Sequence, residues 1–170
     1  GLGISSHLLR PRHLTWVLAR LLVEVGPLPG WQAEVAVATW PSENQRLMAF
    51  RHFELQDARG RRLARGASAW VLMDTRSGRP QRLELLGADL PSTLQRPEAL
   101  RNPRKLDPPD RVDQHQEFRV RYRDLDENGH VNNVSHLEWA LESLPPALHH
   151  NGRLLTLEAN FLGEAFGGDA

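Results

Sequence analysis

The sequence predicts an α+β fold, and two features of the chain indicate it. Apolar and β-branched residues dominate four runs in the first half, and short segments rich in Gly, Pro, Asn or Asp separate those runs. In the second half the spacing of apolar residues changes from alternate positions to every third or fourth position, which is the period of an α-helix. Strands joined by short turns, followed by a separate helical segment, are typical of an antiparallel sheet with segregated helices.

Four strands are predicted before residue 75. They are TWVLARLLVEV (15–25), AEVAVATW (33–40), QRLMAFRHFELQ (45–56) and RRLARGASAWVLMD (61–74). GPLPG is a turn after the first run, and PSEN is a polar break after the second. DARG (57–60) places Asp first and Gly last, which suits a hairpin built on a type I turn. Short connections of this kind predict an antiparallel meander.

A proline-rich segment separates the two halves of the chain. DPPD (107–110) is its strongest interruption. We expect this segment to lie over the surface as a connector, with one short helical turn near 96–100. The predicted domains are therefore 1–80 and 117–170, joined by a connector at 81–116.

The second domain is predicted to begin with a strand, EFRVRYR (117–123), in which three apolar residues alternate with Arg. A helix follows, because apolar residues then recur at helical spacing. Its stripe contains Val134, Leu137, Ala140, Leu141 and Leu144. Asn132 or Asn133 suits the N-cap of this helix, and Pro145–Pro146 ends it. LLTLEANFLGE (154–164) is the last predicted strand.

Composition limits the classes of function. Basic and acidic residues balance at 21 each and the Arg are scattered along the sequence, so we expect no nucleic-acid or membrane-binding surface. Cysteine is absent, which excludes disulfides, thiolate metal sites and a Cys nucleophile. The most apolar stretch, 16–25, contains Arg20 and Glu24 and is too short to span a bilayer. No signal peptide is visible, and a cytoplasmic protein is expected.

A run of short polar residues, DLDENGHVNN (124–133), lies between the predicted strand and the predicted helix. Its residues occupy several ligand positions of a calcium-binding EF-hand loop. However, Ser135 stands where a bidentate Glu is required, and a strand precedes the loop where an EF-hand needs a helix. The same residues also suit a simple turn and helix cap, in which Gly129 supplies a positive φ. Asp124, Asn132 and Asn133 fit that structural role.

A third interpretation of the loop is catalytic. The first N–H groups of a helix point toward whatever precedes it and favour negative charge, as the donors of an oxyanion hole do. Asp126 and His130 lie just upstream of the predicted helix, where a carboxylate and an imidazole can position or deprotonate a water molecule. This combination suits the hydrolysis of an ester or a thioester.

The run DLDENGHVNNVSHLEWALESLP (124–145) resembles the signature of the acyl-acyl carrier protein thioesterases, in which D-x-N-x-H-V-N-N leads into the central helix of a hotdog domain. The first half resembles the N-terminal hotdog domain of the same family in order and spacing. The matching segments are TWVLARLLVEV (15–25), TWP (39–41), RHFELQDARG (51–60) and SAWVLMD (68–74). The resemblance covers most of the chain apart from the proline-rich connector.

The resemblance implies tandem hotdog domains, each an antiparallel sheet wrapped around a central helix. It also implies hydrolysis of fatty acyl-acyl carrier protein to free fatty acid and carrier protein, without a cofactor or a metal. The family's catalytic residues fall on Asp126, Asn128, His130 and Glu164. N–H groups at the helix start, with Asn128 or His130, are expected to polarise the thioester carbonyl. Asp126 and Glu164 are expected to orient and activate the attacking water.

The sequence departs from the family pattern in two ways. Ala165 stands where plant members carry a Cys after the family Glu, so water must attack the thioester directly. The chain is also expected to lack the first strand and most of the helix of the first domain, and the last strands of the second. Residues 1–6 resemble the end of that first helix. Missing strands leave cores uncovered and sheet edges open, so we expect a chain of this extent to be aggregation-prone.

The partner implied by the resemblance is an acyl carrier protein, and a homodimer is compatible with it. Trp16, Trp40 and Trp70 are candidates for the lining of an acyl channel and equally for ordinary core aromatics. Two other functions remain open. One is an acyl-CoA thioesterase, although no cluster of Arg in the sequence supplies a phosphate-binding patch. The other is a non-catalytic acyl-binding or dimerisation module.

Overall fold

The computed structural model of this chain describes residues 4–89, 100–126 and 128–168. The described chain divides into two compact units. One comprises Gly1–Lys105 with Leu155–Asn160, and the other comprises Leu106–Leu154 with Phe161–Ala170. The domain boundaries placed at residues 80 and 117 from the sequence stay a prediction. Most of the helical turn expected near 96–100 lies outside the described residues.

The first unit is built on one antiparallel sheet. Its strands are β1 (Leu14–Val25), β2 (Val35–Gln45), β3 (Met48–Asp57), β4 (Arg62–Asp74), the two-residue β5 (Arg79–Pro80) and β6 (Thr156–Asn160). The order across the sheet is β2-β3-β4-β1-β6, with β5 paired to the end of β4. A four-residue helix α1 (Ser6–Leu9) precedes the sheet. The four strands predicted in the first half are all present.

The predicted meander is correct only for part of this sheet. β2, β3 and β4 pair in succession, but β1 pairs with β4 and β6 and has no pairing with β2. Three strand spacings separate β1 from β2, which is about 14 Å. The connection 26–34 is long enough to cover that distance. Local turn signals do not reveal such a crossing, because they mark where a strand ends and not which strand it pairs with.

The hairpin turns on either side of β3 differ in how well the sequence predicts them. The turn at 57–60 forms as expected: Gly60 has φ 75° and its N–H donates to the Asp57 carbonyl at 2.9 Å. The predicted break PSEN instead lies inside β2, where the pairing with β3 is irregular between Pro41 and Asn44. The turn itself falls at 46–47, with Arg46 at φ 42°.

Leucines from outside the sheet close its small core. One cluster of buried side chains contains Leu9, Leu14, Leu72, Leu83 and Leu86, and a second contains Leu22, Ala67 and Leu100. Leu83 and Leu86 belong to a 3-10 segment, Leu83–Asp89. The segment 81–116 was expected to lie over the surface, and this expectation is wrong for its buried leucines. Proline content predicts an irregular backbone but not an exposed one.

The three predicted channel tryptophans belong to this sheet. Trp40 is buried and stacks on His52, with ring centroids 5.9 Å apart. The indole N–H of Trp16 donates to the Ile4 carbonyl, and that of Trp70 donates to the Ser68 hydroxyl. These contacts fit core aromatics, and a role of the three residues in lining an acyl channel stays a prediction.

Asn102 ties the segment after Leu100 to β2 and β3. Its amide nitrogen donates to Glu43 at 2.9 Å, so its oxygen faces His52 Nε2 at 3.0 Å. His52 is 3% exposed. The hydrogen bond to Asn102 therefore satisfies one ring nitrogen of a histidine that solvent barely reaches.

Arg101 and Arg104 tie the same segment to β6. Arg101 donates to both oxygens of Glu158 at 2.8 and 2.6 Å, and the Arg104 N–H donates to one of them at 2.8 Å. Asn160 returns a hydrogen bond to the Arg104 carbonyl at 3.0 Å. Because Arg101 donates to its carboxylate, the pKa of Glu158 falls from 4.5 to about 2. These contacts hold the short β6 against the sheet.

The Glu158→Gln variant is therefore expected to lose stability in a pH-dependent way. At neutral pH the loss should be about 1.5–3 kcal/mol, the range for a hydrogen bond to a charged group. A carboxyl group with a depressed folded-state pKa stabilises the fold above its unfolded pKa and loses that contribution as pH falls toward the folded value. The difference from the parent should thus fade between pH 4.5 and about 2. Thermal melts across that window, with the exposed Glu138→Gln as control, test this. An equal difference at every pH would contradict it.

The second unit contains two helices, α2 (Asn133–Glu142) and α3 (Pro146–Asn151), and a 3-10 turn at Tyr122–Asp124. The predicted helix and its cap are confirmed: the Asn132 side chain accepts a hydrogen bond from the Val134 N–H at 2.9 Å. The predicted apolar stripe is not a buried face, because Val134 is 58% and Leu144 41% exposed. No helix in the described part of the chain is long and apolar enough to cross a membrane.

The strand predicted at 117–123 is wrong. The backbone there forms no ladder, and Tyr122 is 93% exposed. Phe118 instead stacks on Trp139 of α2, with ring centroids 5.6 Å apart. Alternation of apolar and basic residues indicates an extended backbone, but a strand also requires a partner. No other strand in the described part of the second unit supplies one.

Candidate active site

Backbone hydrogen bonds fold residues 124–126 and 128–132 into a hook at the start of α2. The Asp126 N–H donates to the His130 carbonyl at 2.7 Å, and Gly129 turns the chain between them with φ 79°. Asn132 closes the hook by donating its N–H to the Asp124 carbonyl at 2.7 Å. Leu125 and Val131 face each other as an isolated antiparallel bridge. The loop is therefore a defined structure and not a simple linker.

The segment after β6 pairs with this hook. The Val131 N–H donates to the Ala165 carbonyl at 2.8 Å, and His130 forms an antiparallel bridge with Phe166. Glu164 directly precedes these residues, so the pairing brings its carboxylate to the loop. His130 Nδ1 lies 3.5 Å from Glu164 Oε1. Residues from the two sequence motifs thus meet at one place.

The Asp126 carboxylate is occupied by the loop itself. One oxygen accepts the N–H groups of Asn128 and His130 at 2.8 and 3.1 Å, and the other faces the Asn128 amide nitrogen at 3.4 Å. Desolvation works to raise the pKa of Asp126, but the two N–H donors outweigh it and lower the pKa below its ordinary value. A carboxylate held ionised in this way is a poor proton acceptor and a good anchor for the loop.

His130 is held from two sides. Glu164 faces Nδ1, and the ring of Phe166 meets the imidazole edge-on with centroids 5.0 Å apart. The side chain of His130 is 34% exposed and that of Glu164 is 49% exposed. Among the described residues, Nε2 of His130 has no hydrogen-bond partner. This arrangement leaves one ring nitrogen available to a ligand or a water molecule.

The start of α2 offers fewer free donors than expected. Val134 donates its N–H to the Asn132 side chain, and Ser135 and His136 donate theirs to the Asn132 carbonyl. Within the described residues, the N–H of Asn133 is the first-turn donor without such a partner. Of the helix-start donors on which the predicted oxyanion hole relied, the Asn133 N–H is therefore the one left available, and the oxyanion hole itself stays a prediction.

The turn interpretation of the loop is correct for Asp124 and Asn132, whereas Asn133 is the first residue of α2. The buried Asp124 accepts the Arg121 N–H at 2.8 Å, and Asn132 caps the helix. The calcium interpretation has little support. A 3-10 turn precedes the loop where an EF-hand needs a helix, and Asp126 is used by its own backbone. In the part of the chain that the structure describes, no three His, Asp or Glu residues are grouped as metal ligands would be.

Sequence reasoning missed Phe166 and the backbone of Ala165. Both contact the loop through backbone pairing with residues 130 and 131, which are distant along the chain. The available signal was weak: an aromatic residue two positions after Glu164, in a short run ending in Gly167 and Gly168. Single-sequence patterns do not indicate which loop such a run will contact.

The sheet of the first unit and the polar hook that leads into a capped helix in the second place this chain among hotdog-fold proteins. Solved structures agree. A 12:0-ACP thioesterase from Umbellularia californica superposes with a TM-score of 0.75 at 26% identity, covering 93% of this chain and 60% of that one. An acyl-ACP thioesterase from Bacteroides thetaiotaomicron gives 0.70 at 25% identity, covering 98% of this chain and 68% of that one.

Sequence comparison narrows the class to one family. The acyl-ACP thioesterase N-terminal domain matches residues 1–85, and the acyl-ACP thioesterase C-terminal domain matches residues 108–169. The chain therefore belongs to the acyl-ACP thioesterase family.

The chloroplastic oleoyl-acyl carrier protein thioesterase 2 of Arabidopsis thaliana is 32% identical over 164 residues, which is 88% of this chain and 44% of the relative. The chloroplastic palmitoyl-acyl carrier protein thioesterase of Cuphea hookeriana is 31% identical, with 96% and 41% covered. The chain spans less than half the length of these curated relatives.

Proposed function

We propose that this protein hydrolyses the thioester of fatty acyl-acyl carrier protein to free fatty acid and carrier protein. The family supports the substrate, and one observation supports the site: His130 Nδ1 lies 3.5 Å from Glu164 Oε1, beside a helix start. An imidazole oriented by a carboxylate is a common arrangement for activating a nucleophile.

In the proposed mechanism His130 and Glu164 activate the attacking water. The Nδ1–H of His130 donates a hydrogen bond to the Glu164 carboxylate, which leaves Nε2 as the acceptor for the water proton. Asp126 then serves to position the loop, because its lowered pKa and its loop hydrogen bonds make it a poor base. This assignment transfers the activation of water from Asp126 to His130.

The water oxygen forms a bond to the thioester carbonyl carbon, and the carbonyl oxygen takes up the negative charge. We assign the Asn133 N–H and the Asn128 side-chain amide as its donors. When the tetrahedral intermediate collapses, the carbon–sulfur bond breaks. The sulfur of the carrier's arm leaves with the proton that His130 accepted. Acid and carrier thiol are the two products, and the imidazole is again neutral.

Release of fatty acid from acyl-acyl carrier protein, measured with purified protein, tests the proposal. The same acyl group on CoA serves as the competing substrate. A higher kcat/KM for the carrier-protein substrate supports the proposal, and a higher value for CoA would assign the chain to acyl-CoA hydrolysis. Saturable binding of both thioesters without turnover would indicate a non-catalytic acyl-binding module.

Thiol reagents are expected to leave the activity unchanged. The chain contains no cysteine, and Ala165 lies next to Glu164 where a thiol would be needed. Direct attack by water predicts that one atom of oxygen-18 from labelled solvent enters the fatty acid and that no acyl-enzyme accumulates. Activity after iodoacetamide treatment measures the effect of thiol reagents. Mass spectrometry of the released fatty acid measures the oxygen-18 label, and mass spectrometry of quenched protein detects an acyl-enzyme. An acyl adduct on Asp126 or Glu164 would replace direct attack with an anhydride route.

A further inference from the structure

Arginines that are scattered in the sequence meet at one end of the sheet of the first unit. β5 pairs with the end of β4, so that Arg79 lies opposite Asp74. The chain then continues to the β2–β3 turn, where the Leu83 N–H donates to the Arg46 carbonyl at 3.3 Å. Pairing of these segments gathers four exposed arginines, Arg46, Arg76, Arg79 and Arg82. Arginines that are scattered along the sequence therefore lie on neighbouring segments of the fold.

The two ends of β4 differ in how their arginines are neutralised. At the start of β4, each of three arginines has a carboxylate within 3.2 Å. The pairs are Arg61–Asp57, Arg62–Glu54 and Arg65–Glu24. At the other end, Arg46, Arg79 and Arg82 form no ion pair with any described residue. Arg76 contacts the ring of His13.

The acidic groups near this end do not cancel the charge. Asp74 accepts the N–H groups of Ser77 and Arg76 at 2.9 and 2.8 Å, and these bonds lower its pKa. Its carboxylate is thus committed to the turn. Glu84 is exposed in the 3-10 segment, and Glu43 is exposed in β2 shortly before Arg46. The Glu43 carboxylate accepts hydrogen bonds from the Asn102 and Gln45 side chains, each at 2.9 Å. Four guanidinium groups against three carboxylates, two of which are engaged in these hydrogen bonds, leave a positive surface.

Two leucines interrupt this positive surface. Leu47 follows Arg46 in the β2–β3 turn and is 37% exposed, and Leu85 is 52% exposed. Exposed leucines beside arginines are a combination that suits a protein interface, where Arg and apolar residues are enriched. A nucleic-acid surface relies on phosphate contacts and gains little from leucine.

We propose that this end of the sheet docks an acidic protein surface. The docking surface comprises Arg46, Leu47, Arg76, Arg79, Arg82 and Leu85. The inference rests on the proposed function for the identity of the partner, which is then the carrier protein that bears the acyl chain. Complementary charge accelerates encounter and fixes orientation, and its effect weakens as salt is added.

Replacing Arg76, Arg79 and Arg82 together with Gln tests the docking surface. The matched control replaces Arg59, Arg119 and Arg153, which are exposed and form no ion pair with described residues, so that both variants lose the same charge. We expect the docking variant to raise KM for acyl-acyl carrier protein about tenfold at low salt, with kcat unchanged. Its kcat/KM for the same acyl group on pantetheine should equal that of the parent. The control should change neither value.

Direct binding separates this inference from the proposed function. Fluorescence anisotropy with the carrier protein lacking an acyl group requires no turnover, so it reports docking even if no thioester is hydrolysed. Weaker binding by the docking variant alone supports the surface. If the control variant binds the carrier protein as weakly as the docking variant does, the effect arises from net charge alone and the docking surface is overturned. Equally tight binding of anionic vesicles or of a DNA duplex by the parent would also overturn the assignment to an acidic protein.

Discussion

Glu164→Gln is expected to lower kcat for acyl-acyl carrier protein by about a hundred- to ten-thousandfold, the range for loss of acid–base catalysis. Glutamine has nearly the shape of glutamate but no charge. It cannot stabilise the imidazolium that forms when His130 takes the water proton. If its amide group faces His130 Nδ1, it also donates to that nitrogen and leaves the proton on Nε2, where the water must bind. KM should change little, because Glu164 contacts the histidine and is not needed to hold the acyl chain.

The matched control for this variant is Glu138→Gln on α2, which removes an exposed charge from the same unit. Its kcat should stay within twofold of the parent, on the order expected for a surface substitution. Thermal melting of both variants should match the parent, since the Glu164 side chain is 49% exposed. Equal activity of Glu164→Gln and parent would remove Glu164 from the mechanism and leave His130 to act alone.

Asp126→Ala is expected to lower turnover on the order of a hundredfold, the cost of misplacing a catalytic group by about 1 Å. Alanine leaves the N–H groups of Asn128 and His130 without their carboxylate acceptor. His130 is then free to drift from Glu164. Melting should change little, because these N–H groups lie in a partly exposed loop where water replaces the lost acceptor.

Asp126→Asn distinguishes the two roles available to this residue. Asparagine retains an oxygen that accepts both N–H groups, so a positioning role predicts activity within about tenfold of the parent. Asparagine cannot accept a proton, so a role as base predicts a loss as large as that of alanine. Steady-state kinetics of both variants decide between these outcomes. If alanine strongly lowers the melting temperature while the protein that remains folded keeps its activity, Asp126 is only a turn residue.

Local patterns predicted the elements that depend on neighbouring residues. The four long strands of the first unit follow from apolar runs between turn signals, and the 57–60 hairpin follows from Asp57 and Gly60. The start of α2 follows from Asn132, whose side chain can reach only the first turn of its own helix. The strand predicted at 117–123 was wrong, because alternating apolar and basic residues indicate an extended backbone but do not indicate whether a neighbouring strand pairs with it. Local patterns also failed for Leu83 and Leu100, which proline-rich surroundings made appear exposed.

The sequence by itself determined the strands, the capped helix and the polar residues of the loop, since each depends on side chains within a few positions along the chain. Tertiary structure alone decided that β1 lies between β4 and β6, that Glu164 lies beside His130, and that the segments carrying Arg46, Arg76, Arg79 and Arg82 are neighbours. The reason is physical. Backbone hydrogen bonds between distant segments, such as Val131 with Ala165 and Leu83 with Arg46, are formed by groups that every residue carries. Which segments meet is therefore settled by the packing of the whole chain and leaves no local signature in the sequence.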